Sequence, residues 1–243
     1  MKRFGLIGFP LGHSFSKNYF TDKFAASGLT DHVYDLFPIK NIDELPAIVA
    51  AHPDLVGLNV TIPYKQAVLK FLDKVRMPDG LSATNCIRIK DGQLEGFNTD
   101  VIGFEKSFVA LLRPHHTKAL VLGNGGATAA VTHVLKKLNI QFQVVSRQLH
   151  GNSSLTYKQL DENVIAEHTV IINTTPVGTF PDIENCPDIP YQHIQSRHYL
   201  FDLIYNPAKT LFLQKGEERG AAIKNGYEML VIQAEESWAI WNE

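Results

Sequence analysis

Cysteine is scarce in this chain of 243 residues. There are two, Cys86 and Cys186, far apart and outside any CxxC spacing. Such a pair defines neither a disulfide framework nor a zinc site, and it suits a reducing, cytoplasmic setting. A basic excess is also missing: 23 Lys and Arg face 25 Asp and Glu, for a net charge of −2. That argues against a general nucleic-acid or membrane-surface binder, although it leaves room for a local basic pocket. The first apolar run, Phe4 to Phe9, stops at Pro10, too early for a signal-peptide core or a membrane span. No HxxxH or His/Cys cluster suggests a metal, so none is expected. Ser14 has no Gly-x-Ser-x-Gly context, which leaves serine-hydrolase chemistry without support. His115 and His116 follow Arg113-Pro114 in a helix-breaking segment and read as solvated linker residues. Trp238 and Trp241, at helical spacing, read as packing.

What is present is an alternation of strand-like and helix-like segments. Apolar runs at Phe4–Phe9, Val33–Phe37 and Leu55–Ile62 read as strands, and Lys17–Ser27, Ile42–Ala51 and Ala67–Leu72 as helices. Asn85–Ile89 and Gln93–Phe97 read as a hairpin turning on Asp91-Gly92. A helix follows over Val101–Leu112. Beyond the break come strands at Lys118–Leu122, Phe142–Val145, Val170–Asn173 and Tyr199–Leu203. Helices are expected at Ala127–Leu138 and Tyr227–Trp241. This pattern predicts an α/β protein with mostly parallel sheets, divided near residues 100 to 116.

Several groups of residues carry chemistry. In Leu120–Thr128 an apolar strand runs through Gly123-Asn124-Gly125-Gly126 into a helix. Glycines let a backbone approach a pyrophosphate, and the helix start offers free N–H groups. The same turn also serves as a plain tight connection. The next strand ends at Val145-Ser146-Arg147, without the acid that would hold the 2′-hydroxyl of NAD. Arg147 is instead suited to a 2′-phosphate, unless it is simply a solvated loop arginine. In the first half, Ser14 and Ser16, Asn59–Lys65, Asn85 and Gly96–Asp100 gather hydroxyls, amides, one lysine and one aspartate at strand ends. Open α/β sheets bind ligands there, and the inventory suits a polyhydroxylated carboxylic acid. Taken singly, the Ser and Asn residues also read as turn formers or helix caps. Lys65 and Asp100 are candidates for acid–base work on a ketone, or else surface charges.

Taken in order, these motifs resemble the shikimate dehydrogenase family nearly end to end. Ser14-Phe15-Ser16 is similar to its Ser-x-Ser pair, and Asn59–Lys65 to its Asn-Val-Thr-x-Pro-x-Lys stretch. Asn85 stands in an Ala-x-Asn-Thr-type element, with Cys86 in place of the threonine. Gly96–Asp100 is similar to Gly-x-Asn-Thr-Asp, Gly123–Ala127 to Gly-x-Gly-Gly-Ala, Asp202–Pro207 to Asp-x-x-Tyr-x-Pro, and Gly226–Gln233 to Gly-x-x-Met-Leu-x-x-Gln.

The resemblance implies an N-terminal α/β substrate domain (residues 1–102) and a Rossmann-type doubly wound NADP-binding domain (103–225). A C-terminal helix (226–243) would pack back on the first domain, and the active site would lie between the two domains. It implies catalysis by Lys65 and Asp100, with shikimate held by Ser14, Ser16, Thr61, Asn85, Tyr205 and Gln233. The cofactor NADP(H) would be bound by Gly123, Asn124, Gly125, Gly126, Ala127, Ser146 and Arg147, with Leu203 and Gly226 near the nicotinamide. The family's Asn-Arg-Thr followed by a lysine appears here as Ser146-Arg147-Gln148 without that lysine, so incomplete discrimination against NAD is expected. The implied reaction is NADPH-dependent reduction of 3-dehydroshikimate to shikimate, in aromatic amino acid biosynthesis. A quinate/shikimate dehydrogenase with relaxed cofactor use is the alternative, and a redox-silent sensor a third reading that the intact Lys65 and Asp100 oppose. The expected partner is the small-molecule substrate, without nucleic acid or membrane, and the expected state a cytoplasmic monomer or homodimer.

Overall fold

The computed structural model describes residues 1–12, 14–149, 151 and 153–243. They divide into two compact units, Met1–Thr99 with Gln233–Glu243, and Asp100–Ile232.

The first unit is built on a six-stranded sheet in the order β2-β1-β3-β5-β6-β4. Its strands are β1 (Lys2–Gly8), β2 (His32–Pro38), β3 (Leu55–Val60), β4 (Lys74–Arg76), β5 (Cys86–Lys90) and β6 (Gln93–Phe97). β1 pairs parallel with both β2 and β3, whereas β3–β5 and β5–β6 are antiparallel. The hairpin forms as expected: Lys90 faces Gln93, and Asp91 and Gly92 between them have φ of 53° and 76°, the left-handed pair that a two-residue turn needs.

Helix α1 (Phe15–Ala26) starts at Ser14, whose Oγ accepts the Lys17 N–H at 3.2 Å. Its buried Phe20 and Phe24 pack with Phe4, Tyr34 and Trp241. Each buried phenylalanine is worth roughly 1.5–3 kcal/mol by area. Trp241 is fixed by donating its indole N–H to the Ile87 carbonyl at 2.9 Å. Both tryptophans therefore serve packing.

Two expected helices differ in detail. Ile42–Ala51 is a 3₁₀ turn (Ile42–Glu44) followed by α2 (Leu45–Ala51). Pro46 has no N–H to return to Ile42, so one continuous α-helix cannot form. Ala67–Phe71 is a 3₁₀ helix, with i+3 bonds from the Leu69 N–H to the Gln66 carbonyl at 3.1 Å and from the Leu72 N–H to the Leu69 carbonyl at 3.2 Å.

The second unit carries an all-parallel sheet in the order β12-β11-β10-β7-β8-β9. The strands are β7 (Lys118–Leu122), β8 (Gln141–Ser146), β9 (Leu155–Thr156), β10 (Val170–Asn173), β11 (Tyr199–Asp202) and β12 (Ala222–Lys224). β10 and β11 are buried along their whole length and β7 along all but its first residue, hence their near-continuous apolar sequences. The helices are α3 (Thr99–Val109), α4 (Gly126–Lys137), α5 (Glu162–Glu167), α6 (Leu211–Glu217) and α7 (Tyr227–Trp241). The unit boundary falls in the first turn of α3 and again within α7, whose residues from Gln233 onward count with the first unit. The chain winds from β7 outward through β8 and β9, then returns to β10 on the other side of β7. That reversal creates the crevice at strand C-termini where such sheets take ligands.

His116 departs from its sequence reading. It is buried, its Nδ1 accepts the Arg113 N–H at 3.0 Å, and its Nε2 lies 3.2 Å from the Arg197 carbonyl. Those partners require a neutral ring with the proton on Nε2, and burial holds its pKa below the ordinary value. Among the described residues no helix is long and apolar enough to cross a membrane.

Candidate active site

In the first unit a chain of buried polar groups runs from β2 to α7. The Tyr34 phenol donates to Asn59 Oδ1 at 2.8 Å. Asn59 Nδ2 donates to Ser237 Oγ at 2.9 Å and to the Asn85 carbonyl at 3.3 Å. Asn85 is itself held twice: its Oδ1 accepts the Thr99 N–H at 2.7 Å, and its Nδ2 donates to Thr99 Oγ1 at 2.9 Å. Gln233 Oε1 lies 3.4 Å from both Asn85 Nδ2 and Thr99 Oγ1, and Ser237 Oγ donates to the Gln233 carbonyl at 2.8 Å. All these side chains are buried. Such a network is expensive to bury unless every member is satisfied, and once satisfied it fixes the donors and acceptors rigidly.

Sequence reasoning named Asn85 and Gln233 as ligand groups but gave no separate role to Tyr34, Asn59, Thr99 or Ser237. Ser237 had a legible signal: it stands four residues after Gln233, on the same face of a helix.

Of the other expected groups, Ser16 bonds directly to this network. Ser16 hydrogen-bonds the Tyr34 phenol, whose pKa burial pushes well above the ordinary value. Since Tyr34 gives its proton to Asn59, Ser16 is the donor in that bond. Ser14 caps α1, so the bland reading of that serine is realised whatever else it binds. Thr61 directly follows β3 and its N–H donates to the Ile7 carbonyl at 3.0 Å. Lys65 is half-buried, at the end of a turn that is fixed on both sides. Its carbonyl accepts the N–H of buried Thr84 at 2.7 Å, and the preceding Tyr64 donates its phenol to the Ile39 carbonyl at 2.7 Å. Asp100 is half-buried in the first turn of α3.

In the second unit Gly123 has φ of +108°, and a Cβ there would stand 2.8 Å from both Thr174 Oγ1 and Thr175 Cγ2, so only glycine fits. Gly125 and Gly126 differ: no heavy atom lies within 4 Å of where their Cβ atoms would be. They form an open cradle at the first turn of a twelve-residue helix whose leading N–H groups face it. That arrangement fits a dinucleotide pyrophosphate. Thr128 Oγ1 accepts the Gly125 N–H at 3.2 Å and lies 2.9 Å from Thr174 Oγ1, pinning the turn to the end of β10. Asn124 and Ala127 complete the turn, both half-buried.

At the end of β8, Ser146 is buried and its hydroxyl donates to the Gln148 carbonyl, which commits its proton internally. Arg147 is exposed. Across the sheet, Leu203 donates its N–H to the Asn173 carbonyl at 3.0 Å, and Gly226 is pressed so tightly on it that a Cβ would meet Leu203 O at 2.1 Å. Tyr205 is half-buried, and burial raises its phenol pKa. Among the described residues no group of three or more His, Cys, Asp or Glu is placed to hold a metal ion.

Comparison with known proteins places these features in a family. A sequence profile of the shikimate dehydrogenase substrate binding domain matches residues 6–87. The shikimate dehydrogenase (NADP(+)) of Methanococcus vannielii is 33% identical over 98% of this chain and 90% of its own length. The structure of shikimate 5-dehydrogenase from Thermus thermophilus, in complex with NADP(H) and shikimate, superposes with a TM-score of 0.86 at 28% identity, covering 99% of this chain and 93% of that one. The Listeria monocytogenes shikimate 5-dehydrogenase, in complex with shikimate and NAD, gives 0.87 at 26% identity over 99% and 91%. The chain belongs to the shikimate dehydrogenase family.

Proposed function

We propose that this chain catalyses the reversible reduction of 3-dehydroshikimate to shikimate by NADPH. The observation that carries the reading is the buried hydroxyl and amide network of Asn59, Asn85, Thr99, Gln233 and Ser237 at the strand ends of the first unit. By holding Asn85 and Gln233 in fixed orientations, the network presets the amides that the family motifs assign to the ring hydroxyls. Asn85, Gln233, Thr61 and Tyr205 are read as partners of the ring hydroxyls. Ser14 and Ser16, one turn-forming and one tied to Tyr34, are read as the carboxylate donors.

NADPH, when bound, would supply hydride for the carbonyl carbon. As it arrives, negative charge grows on the carbonyl oxygen, and Lys65 is read as the group that stabilises this charge and delivers the proton. Its carbonyl is held by the Thr84 N–H at 2.7 Å, which fixes the main chain from which the ammonium extends. Asp100, the carboxylate that the family motif pairs with this lysine, is read as holding the ammonium oriented. In the reverse direction the same lysine takes the proton from the shikimate hydroxyl.

On the cofactor side, Gly123–Ala127 would cradle the pyrophosphate, with Leu203 and Gly226 at the nicotinamide end. The Ser146 proton is given to the Gln148 carbonyl, and the exposed Arg147 beside it is read as the cationic group that pairs with a 2′-phosphate. That supports a preference for NADP over NAD without strict exclusion.

The test is incubation of the purified chain with shikimate and NADP, identifying the product by NMR. Stoichiometric 3-dehydroshikimate and NADPH are expected. Tight shikimate binding without turnover would overturn the catalytic reading and leave a ligand sensor.

A further inference from the structure

The end of β11 holds an ionisable group that the proposed chemistry does not use. Asp202 is fully buried, in register with Asn173 of β10 and, through it, with Leu122 of β7. Its carboxylate therefore lies in the row of strand ends that borders the glycine turn. Burying a carboxylate is costly unless donors surround it, and here three do. Asn173 Nδ2 donates to Oδ1 at 3.0 Å, the Ile204 N–H to Oδ1 at 3.1 Å, and Thr210 Oγ1 to Oδ2 at 2.6 Å.

Two of these donors are the two ends of one segment. Ile204 opens it and Thr210 closes it, where Thr210 also caps α6. The same segment anchors the neighbouring loops. Phe180 donates its N–H to the Asn206 carbonyl at 3.0 Å, Asn225 Nδ2 to the Ala208 carbonyl at 2.7 Å, and Gly226 its N–H to the Ile204 carbonyl at 3.0 Å. The connections after β10, β11 and β12 thus converge on residues 204–210, and a single carboxylate grips both ends of that segment.

We infer that Asp202 is a positioning residue: its buried carboxylate clamps the 204–210 segment and so fixes Tyr205, with Leu203 and Gly226 beside it, for the proposed hydride transfer. What the segment serves rests on the shikimate reading; the clamp rests on geometry alone. Small misplacements of groups that orient reactants cost as much as a hundredfold in rate.

The experiment combines kinetics with amide hydrogen exchange on the intact chain. Asp202→Ala is expected to lower kcat/KM for shikimate roughly ten- to hundredfold, with kcat falling as well as KM rising. The dissociation constant of NADP, set mainly by the pyrophosphate cradle and Arg147, should change by less than roughly threefold. Exchange at the amides of Ile204, Phe180 and Gly226 should accelerate while those of β7 stay protected. Asp202→Asn should recover most of the turnover, since its oxygen can serve Asn173 and Ile204 while its NH₂ donates to Thr210. Thr210→Val, which frees one end of the segment only, should fall between the two and reads the clamp if Asp202→Ala does not fold. Unchanged exchange in these variants would refute the clamp. Faster exchange with unchanged kinetics would refute the positioning role. Absence of shikimate turnover in the wild type would instead bring down the functional reading, with the exchange data still deciding the clamp.

Discussion

Asp202 also makes a quantitative prediction about stability. Burial pushes its carboxyl up from an ordinary 3.8 to about 6, against the pull of its bonds to Thr210, Ile204 and Asn173. Between roughly pH 4 and 6 the native protein therefore keeps a proton that the unfolded chain has lost. Stability from this group is complete below about pH 4, declines as pH rises through that window, and is lost above the folded value. The gap of roughly 2 pH units, at about 1.4 kcal/mol each, corresponds to about 3 kcal/mol. Asp202→Asn removes the dependence while keeping the shape. Other carboxylates act oppositely, as with Asp54 held down by Arg3 and Glu95 by Arg88, but they are common to both proteins and cancel in the difference. Urea unfolding of wild type and Asp202→Asn, followed at the transition of the second unit, should show the variant gaining about 2 kcal/mol on wild type between pH 4.5 and 7.5. A difference that is flat with pH would refute the buried, titrating carboxylate. A variant that is more stable at neutral pH and yet slower would mark a group kept for function at a cost to the fold.

Three further outcomes follow from the site. Lys65→Ala should lower kcat by roughly 10²–10⁴-fold, the range of general acid–base groups, in steady-state assays of the folded variant; near-normal kcat would leave Lys65 a surface charge. Ser14→Ala and Ser16→Ala should each raise the KM for shikimate by an amount equivalent to about 1 kcal/mol, with little change in kcat. Ser14→Ala should in addition lose about 1 kcal/mol of stability in a thermal melt, because its Oγ caps α1. Arg147→Ala should raise the KM for NADP by a factor equivalent to about 1.5–3 kcal/mol and leave the weaker NAD reaction unchanged; equal damage to both cofactors would refute the 2′-phosphate role.

The long buried strands and the glycine turn were legible because their patterns are local. Continuous apolar runs gave β7, β10 and β11, and Asp91-Gly92 gave the β5–β6 hairpin. What escaped was short or fixed by tertiary contact. Strands β4, β9 and β12 have two or three residues each, too few to show a period. Helices α5 and α6 have six and seven residues, too short to show a helical period, and each begins at a lone capping side chain, Asp161 or Thr210. His116 looked like a linker residue because nothing nearby in sequence reveals Arg197, 81 positions later, as its partner. The candidate site shows the same division. The residues of Asn59–Lys65 and Gly96–Asp100 announced themselves as motifs, whereas the network of Asn59, Asn85, Thr99, Gln233 and Ser237 joins positions up to 178 apart. Asp202 belonged to a visible motif, but its clamp on residues 204–210 is a property of the fold.

The most direct test of the central claim is a crossed assay of the wild-type chain, with shikimate or quinate against NADP or NAD, following nicotinamide reduction by absorbance. The kcat/KM for shikimate with NADP should exceed that of every other pair, and NAD should support a slower reaction, roughly ten- to hundredfold lower, in line with an arginine at the 2′-phosphate. A higher kcat/KM for quinate, or equal use of NAD and NADP, would contradict that claim.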